Sequence, residues 1–230
     1  MNLLNPVCVA LDTPELARAE ALARQLKSHV GMVKIGMEFF YAHGPSGYEA
    51  VANLGIPVFL DLKLHDIPNT VASALKSLLR LSPAPAIINI HAAGGSDMMK
   101  AAAEAVDGRC MLIAVTILTS LSNADLAAIG YSKPTDEQAL QLAKLANQSG
   151  LDGIVCSALD LPKVRAELPR NFLTVVPGIR PPDASVQDQK RVVTPKQGLA
   201  AGADILVIGR PITGAVDPVQ AASAIVASLA

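Results

Sequence analysis

Tryptophan is absent from this chain, and aromatic residues make up only 3% of it. Proteins that stack single-stranded nucleic acid need aromatic platforms, so the composition argues against that class. There is no excess of positive charge either. The net charge is −1, and no Lys/Arg cluster supplies the electrostatic footprint of a DNA or RNA binder. An anionic partner must therefore be small and held locally. Cysteine is scarce: Cys8, Cys110 and Cys156 are an odd number, widely spaced, each within an apolar strand-like run. That predicts buried free thiols in a reducing compartment, and no Cys/His spacing suggests zinc. The opening Met-Asn-Leu-Leu-Asn-Pro has neither the basic nor the long apolar region of a signal peptide. Long hydrophobic runs are missing too. The longest uncharged stretches, such as 110–124, are too short and too rich in Ser and Thr to span a bilayer. The expectation is a soluble cytoplasmic protein with neither nucleic acid nor membrane as a partner.

What the chain has in quantity is apolar residues, 51% against 17% charged over 230 residues. This suits one domain with a large core, residues 1–230 undivided by linker, repeat or low-complexity segment. Short apolar runs at 7–12, 32–36, 58–63, 86–91, 111–117, 153–157, 173–177 and 205–209 read as buried strands. Between them lie helical patterns with start signals: Thr13-Pro14, the capping-box spacing from Thr135 to Gln138, Thr194-Pro195 and Asp217-Pro218. Gly55, Gly150 and Gly202 stand where helix C-caps are needed. Eight strands alternating with helices predict an α/β fold, a (β/α)8 TIM barrel. A doubly wound open sheet is the alternative, since periodicity alone does not show closure.

Strand parity favours closure. Val7, Val9 and Leu11 take one face, leaving Cys8, Ala10 and Asp12 inside; Lys34, Asp61, Lys63, Asn89 and His91 also fall on inward positions. Polar residues thus gather inside the C-terminal strand ends, where such barrels build their sites.

The richest segment is Asp61-Leu-Lys63-Leu-His-Asp66, which ends the apolar run Val58-Phe59-Leu60. Opposite charges on a buried face cost several kcal/mol each in desolvation unless they pair. With Lys34 they make an alternating array, Lys34, Asp61, Lys63 and Asp66, expected in one pocket. Its near-zero net charge lets it persist partly dry, with a lysine placed to deliver a proton. A structural ion-pair network is the bland alternative, but four charges on one face favour chemistry.

A phosphate site reads separately. Gly178-Ile-Arg180 closes the seventh strand, Gly209-Arg210 closes the eighth, and Pro211-Ile-Thr-Gly-Ala-Val can start a short helix. Loops after strands 7 and 8 commonly form a barrel's phosphate site. Arg210 offers a bidentate fork, and Gly209 permits close backbone approach. The polar stretch 180–194 is long enough to be a lid gripping the phosphate, with Gln189 as a donor. Among the remaining residues, His91 is expected to be a hydrogen-bonded core histidine. His65 pairs with no charge in particular, Met98-Met99 packs a helix on the barrel, and Glu38 is a solvated or helix-start charge.

The stretch Asp-Leu-Lys-Leu-His-Asp-Ile-Pro-Asn-Thr at 61–70 resembles the signature of the orotidine 5′-phosphate decarboxylase family, with its Asp-x-Lys-x-x-Asp core. The likeness continues through Ala10-Leu11-Asp12, Lys34-Ile-Gly-Met-Glu-Phe-Phe, His91-Ala-Ala-Gly-Gly, Leu118-Thr-Ser, Pro177-Gly-Ile-Arg180, Asp188-Gln189 and Ile208-Gly-Arg210, in order along the chain. The resemblance implies decarboxylation of orotidine 5′-phosphate to uridine 5′-phosphate, the last step of de novo pyrimidine biosynthesis, without metal or organic cofactor. By the same analogy Lys63 protonates C6, Asp61 lies against the substrate carboxylate, and Lys34 holds Asp61 and a ribose hydroxyl. Asp12 resembles a ribose-binding aspartate, Pro177 belongs to the binding loop after strand 7, and Thr119 or Ser120 resembles a pyrimidine contact, with Thr119 preferred. The resemblance further implies a homodimer in which Asp66, Ile67 and Thr70 enter the partner's pocket.

The alternative enzyme is a metal-dependent sugar-phosphate decarboxylase or lyase of the ketogulonate-phosphate group, which shares the Asp-x-Lys-x-x-Asp block. Those relatives typically carry a magnesium-binding glutamate where this chain has Lys34, and a cation there would be repelled. A non-catalytic nucleotide or sugar-phosphate binder is the other class. It would need the phosphate arginine but no lysine between two carboxylates.

Overall fold

A computed structural model describes residues 3–181 and 192–229. Eight strands form the sheet: β1 (Val7–Ala10), β2 (Met32–Gly36), β3 (Val58–Leu64), β4 (Ile87–His91), β5 (Met111–Val115), β6 (Gly153–Val155), β7 (Leu173–Val176) and β8 (Ile205–Ile208). Each pairs in parallel with the next, and β8 returns to β1 with Val7 opposite Leu206, so the sheet is a closed barrel and not an open one. The helices around it are α1 (Leu16–Leu26), α2 (Met37–Ala52), α3 (Pro68–Leu78), α4 (Gly95–Val106), α5 (Asn123–Ala128), α6 (Thr135–Gln148), α7 (Leu161–Glu167), α8 (Pro195–Ala200), α9 (Arg210–Thr213) and α10 (Pro218–Ala227). None of the described helices is long and apolar enough to cross a membrane.

The period of two along each strand separates two apolar layers. Val7, Val9, Leu11, Val33, Ile35 and Leu60 pack outward under the helices. Cys8, Met32, Phe59, Ile87, Ile113 and Ile205 fill the barrel interior. Burying a side chain of this size contributes roughly 1.5–3 kcal/mol, and both layers add to the barrel's stability. Met98 and Met99 pack in the outer layer as expected, and Glu38 lies in the first turn of α2. All three thiols are free, Cys8 and Cys156 buried and Cys110 only half-buried.

Two helix starts follow the sequence signals and two do not. Thr194 caps α8 through a reciprocal capping box with Gln197, and Asp217 caps α10 by accepting the Gln220 N–H at 2.9 Å. Thr13, however, accepts the Glu15 N–H at 3.2 Å, making a turn that delays α1 until Leu16. Thr135 is already inside α6, its N–H bonded to Asn123 Oδ1 at 2.9 Å, and extended Pro134 is the cap position. A further capping box joins Ser122 to Asp125 at the start of α5.

One irregularity positions the site. Leu60 of β3 stands opposite Ile88 of β4, but the next pairing is Leu64 with Ile90, so residues 61–63 leave the ladder with β4, although Asp61 still pairs with Gly36 of β2. Within that bulge Lys63 adopts a left-handed φ of 52°.

Candidate active site

The inward charges of β2 and β3 meet at the C-terminal mouth of the barrel. Lys34 Nζ lies 2.9 Å from Asp12 Oδ1 and 3.3 Å from Asp61 Oδ2. Asp61 Oδ1 accepts from Lys63 Nζ at 2.7 Å and from Asn89 Nδ2 at 2.6 Å. The result is an alternating chain, Asp12–Lys34–Asp61–Lys63, of zero net charge. Lys34 and Asp61 are buried, whereas the Asp12 side chain is 58% exposed and that of Lys63 27% exposed. The free end of the chain therefore faces open space.

Charge pairing outweighs burial at both central groups. Burial alone would lower the Lys34 pKa, yet the carboxylates of Asp61 and Asp12 hold it above the ordinary lysine value. Burial alone would raise Asp61. The ammonium groups of Lys34 and Lys63, with the Lys63 and Asn89 hydrogen bonds, hold it below the usual carboxylate range. Both groups are thus kept charged in a partly dry setting. Gly36 makes room for this: a Cβ there would stand 3.1 Å from Lys34 Nζ and 3.4 Å from Asp12 Oδ1. Strand parity alone gave no reason to single out Gly36.

The chain of charges lines a cavity of ≈ 470 Å³, a volume suited to a nucleotide-sized ligand. Asp12, Lys34, Asp61 and Lys63 form one part of its wall. Thr119 and Ser120 line it after β5, Thr119 buried and Ser120 exposed. Pro177, Gly178 and Arg180 line it after β7, and Gly209 and Arg210 after β8. Gly178 turns there with φ 75°, a left-handed conformation that favours glycine. Arg180 sits nearly buried, and its Nη1 donates to the Ile179 carbonyl at 2.9 Å. Its backbone N–H bonds to Val193 O, and Val193 N–H bonds back to Gly178 O, tying the two flanks of 182–191 together. Gln189 and most of the expected lid at 180–194 lie outside the described residues.

Asp66 is not part of this chain's own array. The strand ends at Leu64, and Asp66 follows in an exposed turn, where its Oδ1 accepts the Ile67 N–H at 2.6 Å. The fourth member of the charged set is Asp12 instead. Ile67, 66% exposed, and Thr70, also exposed, stand at the start of α3 and do not line the cavity.

His91 also departs from expectation. Its Nδ1 is buried and has no hydrogen-bond partner among the described residues. The ring instead stacks on His65, with centroids 5.4 Å apart and planes inclined by 23°. Burial, then the neighbouring His65 and Lys63 charges, lower the His91 pKa, which favours a neutral ring. Among the described residues no group of three or more His, Cys, Asp or Glu could hold a metal ion.

The sequence profile of the "Orotidine 5'-phosphate decarboxylase / HUMPS family" matches residues 5–225. An orotidine 5′-phosphate decarboxylase of Paramagnetospirillum magneticum is 51% identical, with 99% of each chain covered. That of Novosphingobium aromaticivorans is also 51% identical, over 98% of this chain and 99% of its own. Among solved structures, the orotidine 5′-phosphate decarboxylase of Lactobacillus acidophilus superimposes with a TM-score of 0.85 at 38% identity. The match covers 98% of this chain and 99% of that one.

Proposed function

The chain belongs to the orotidine 5′-phosphate decarboxylase / HUMPS family, and we propose that it converts orotidine 5′-phosphate to uridine 5′-phosphate and carbon dioxide, closing de novo pyrimidine nucleotide synthesis. The observation that carries this reading is the Lys63 ammonium, held 2.7 Å from a buried carboxylate at the wall of a nucleotide-sized cavity.

The chemistry follows from the substrate. Breaking the bond from C6 to the carboxylate leaves an electron pair in the plane of the pyrimidine, where the ring delocalises it poorly. The site must therefore stabilise developing charge electrostatically. Lys63 supplies a fixed ammonium at C6. As carbon dioxide departs, a proton passes from Nζ to C6, and the neutral amine later recovers one from water. Asp61 keeps Lys63 aimed and lies beside the departing carboxylate. Lys34 holds Asp61 in place and, with Asp12, meets the ribose hydroxyls. Thr119 meets the base and Pro177 shapes the wall beside it. Arg180, Gly209 and Arg210, with Gln189 from the proposed lid, take the phosphate. No metal or organic cofactor enters this scheme.

Asp66, Ile67 and Thr70 are proposed to complete the site of a second copy. Their exposure at the start of α3, with a large apolar Ile67 uncovered, supports a homodimer that buries them. The free thiols suit the reducing cytoplasm, where we place the protein. A magnesium-dependent sugar-phosphate lyase is not supported. Lys34 stands 3.3 Å from Asp61 and would compete with a divalent cation for that carboxylate.

Loss of orotidine 5′-phosphate absorbance tests the reading, with purified protein treated with a chelator and Lys63→Ala as control. Turnover that survives the chelator and vanishes in Lys63→Ala is expected. Turnover restored only by magnesium would move the chain to the lyase class, and tight binding without turnover would make it a binding protein.

A further inference from the structure

Resting on the decarboxylase reading, we infer that Asn89 is a positioning residue that locks Lys63 and Asp61 into a single rigid unit. Asn89 lies in β4, is fully buried, and is not among the residues lining the cavity. Both ends of its amide are committed. Oδ1 accepts the Lys63 backbone N–H at 2.8 Å, and Nδ2 donates to Asp61 Oδ1 at 2.6 Å. Asp61 Oδ1 also accepts Lys63 Nζ at 2.7 Å. The circuit is closed: Lys63 backbone to Asn89, Asn89 to Asp61, Asp61 to the tip of Lys63. The amide orientation is fixed chemically, because a backbone N–H only donates and an ionised carboxylate only accepts.

The circuit answers a local problem in β3. Residues 61–63 leave the ladder with β4 between Leu60 and Leu64, which takes the Lys63 N–H away from regular pairing with that strand. Lys63 also adopts φ 52°, a conformation unfavourable to any side chain with a Cβ. Such backbone persists only where its surroundings over-determine it. Asn89 does so from the neighbouring strand. It supplies the missing acceptor for Lys63 and, through Asp61, fixes the acceptor that aims the ammonium. An aliphatic residue would fill the space but hold neither group.

Two variants test this, each with kcat, KM, uridine 5′-phosphate affinity and thermal stability measured on the intact enzyme. Asn89→Leu removes both hydrogen bonds. Because the bonds act on the reacting pair and not on the phosphate site, kcat is expected to fall by at least about tenfold. The dissociation constant of uridine 5′-phosphate should stay within about threefold of the parent. A kcat within about twofold of the parent, or a parallel loss of nucleotide affinity, would overturn the inference. Asn89→Asp carries the test even if the leucine variant fails to fold, because its carboxyl keeps the acceptor for Lys63. It can donate to Asp61 only while protonated, so its kcat should decline as pH rises across a range where the parent's does not. A pH profile parallel to the parent's would count against the positioning role. An inactive parent in the same assay would remove the decarboxylase reading and this inference with it, which keeps the two failures distinguishable.

Discussion

The balance of charges around Asp61 contributes to the stability of the folded enzyme, and that contribution depends on pH. A double-mutant cycle between Lys34→Met and Asp61→Asn measures it. At 3.3 Å the attraction is about 5 kcal/mol at an effective dielectric of 20, opposed by several kcal/mol of desolvation for each ion. The two single changes are not equivalent. Asp61→Asn leaves the Lys34 ammonium, with the rest of that side chain buried, only the solvent-facing carboxylate of Asp12. It also leaves Lys63 without its carboxylate. Stranding charge in this way costs about 3–5 kcal/mol, or roughly 6–20 °C in Tm for a chain of this size. Lys34→Met is milder, about 1–3 kcal/mol, because Asp61 keeps Lys63 and Asn89. The double variant removes both ions together, so its loss should fall short of the sum by about 2 kcal/mol. The pH dependence has a definite sign. The Asp61 pKa lies below its ordinary 3.8, so its stabilisation is present above that value and is lost as pH falls through the folded value. The Lys34 pKa lies above 10.5, so its stabilisation is complete below that value and is lost as pH rises through the folded one. Urea unfolding followed by circular dichroism between pH 3 and 7 would read both the cycle and the acid limb. The gap between parent and Asp61→Asn should narrow as pH drops below about 4. Additive single effects, or an Asp61→Asn variant as stable as the parent at pH 7, would refute the reasoning.

Arg210→Ala should weaken uridine 5′-phosphate binding and raise KM by about 10- to 100-fold, the worth of one charge-assisted pair, with kcat at saturation nearly unchanged. Steady-state kinetics and calorimetry check it, and a kcat defect with intact binding would remove Arg210 from the phosphate role. Mixing an Asp66→Ala chain with a Lys63→Ala chain should restore about a quarter of the sites, since random pairing leaves one intact site in each mixed dimer. No recovery in the mixed sample would exclude Asp66 acting across an interface.

The barrel was legible because its strands obey one rule: a parallel strand buried on both faces is apolar throughout, so any charge inside it stands out. Parity then placed Lys34, Asp61, Lys63 and Asn89 on the inner face, where the structure has them. Parity gave no support to Asp66: an odd step from Lys63 puts it on the opposite face even of a continuing strand, and only its nearness in sequence joined it to the charged set. The left-handed turn at Lys63 and the end of β3 at Leu64 carry Asp66 out of the barrel. Caps were half legible for a related reason. Thr194 and Asp217 have a free first turn to bond, whereas the Thr135 N–H is taken by Asn123, a residue 12 positions away that no local pattern shows. Asn89 falls on an inward position, but its role depends on a ladder irregularity in the neighbouring strand that no local pattern shows.

A second ion-pair network shows why charge alone would not have found the site. Arg165 of α7 bonds Asp204 Oδ2 at 2.5 Å, Thr174 Oγ1 at 2.6 Å, and the carbonyls of Phe172 and Gly202 at 2.9 Å. Asp204 in turn accepts the Thr174 N–H at 2.8 Å. This network is as dense as the one around Asp61, yet it joins the starts of β7 and β8, the end of a barrel associated with stability. Its guanidinium is surrounded by backbone and side-chain acceptors, which leaves little for a ligand to gain. Lys63 differs in kind: one carboxylate holds it from behind, and its side chain is 27% exposed beside an open cavity. A site needs a charge that is held but not fully satisfied, because the remaining interaction is what the transition state can use. By that criterion Lys63 is the group we propose as reacting, and Arg165 is a brace.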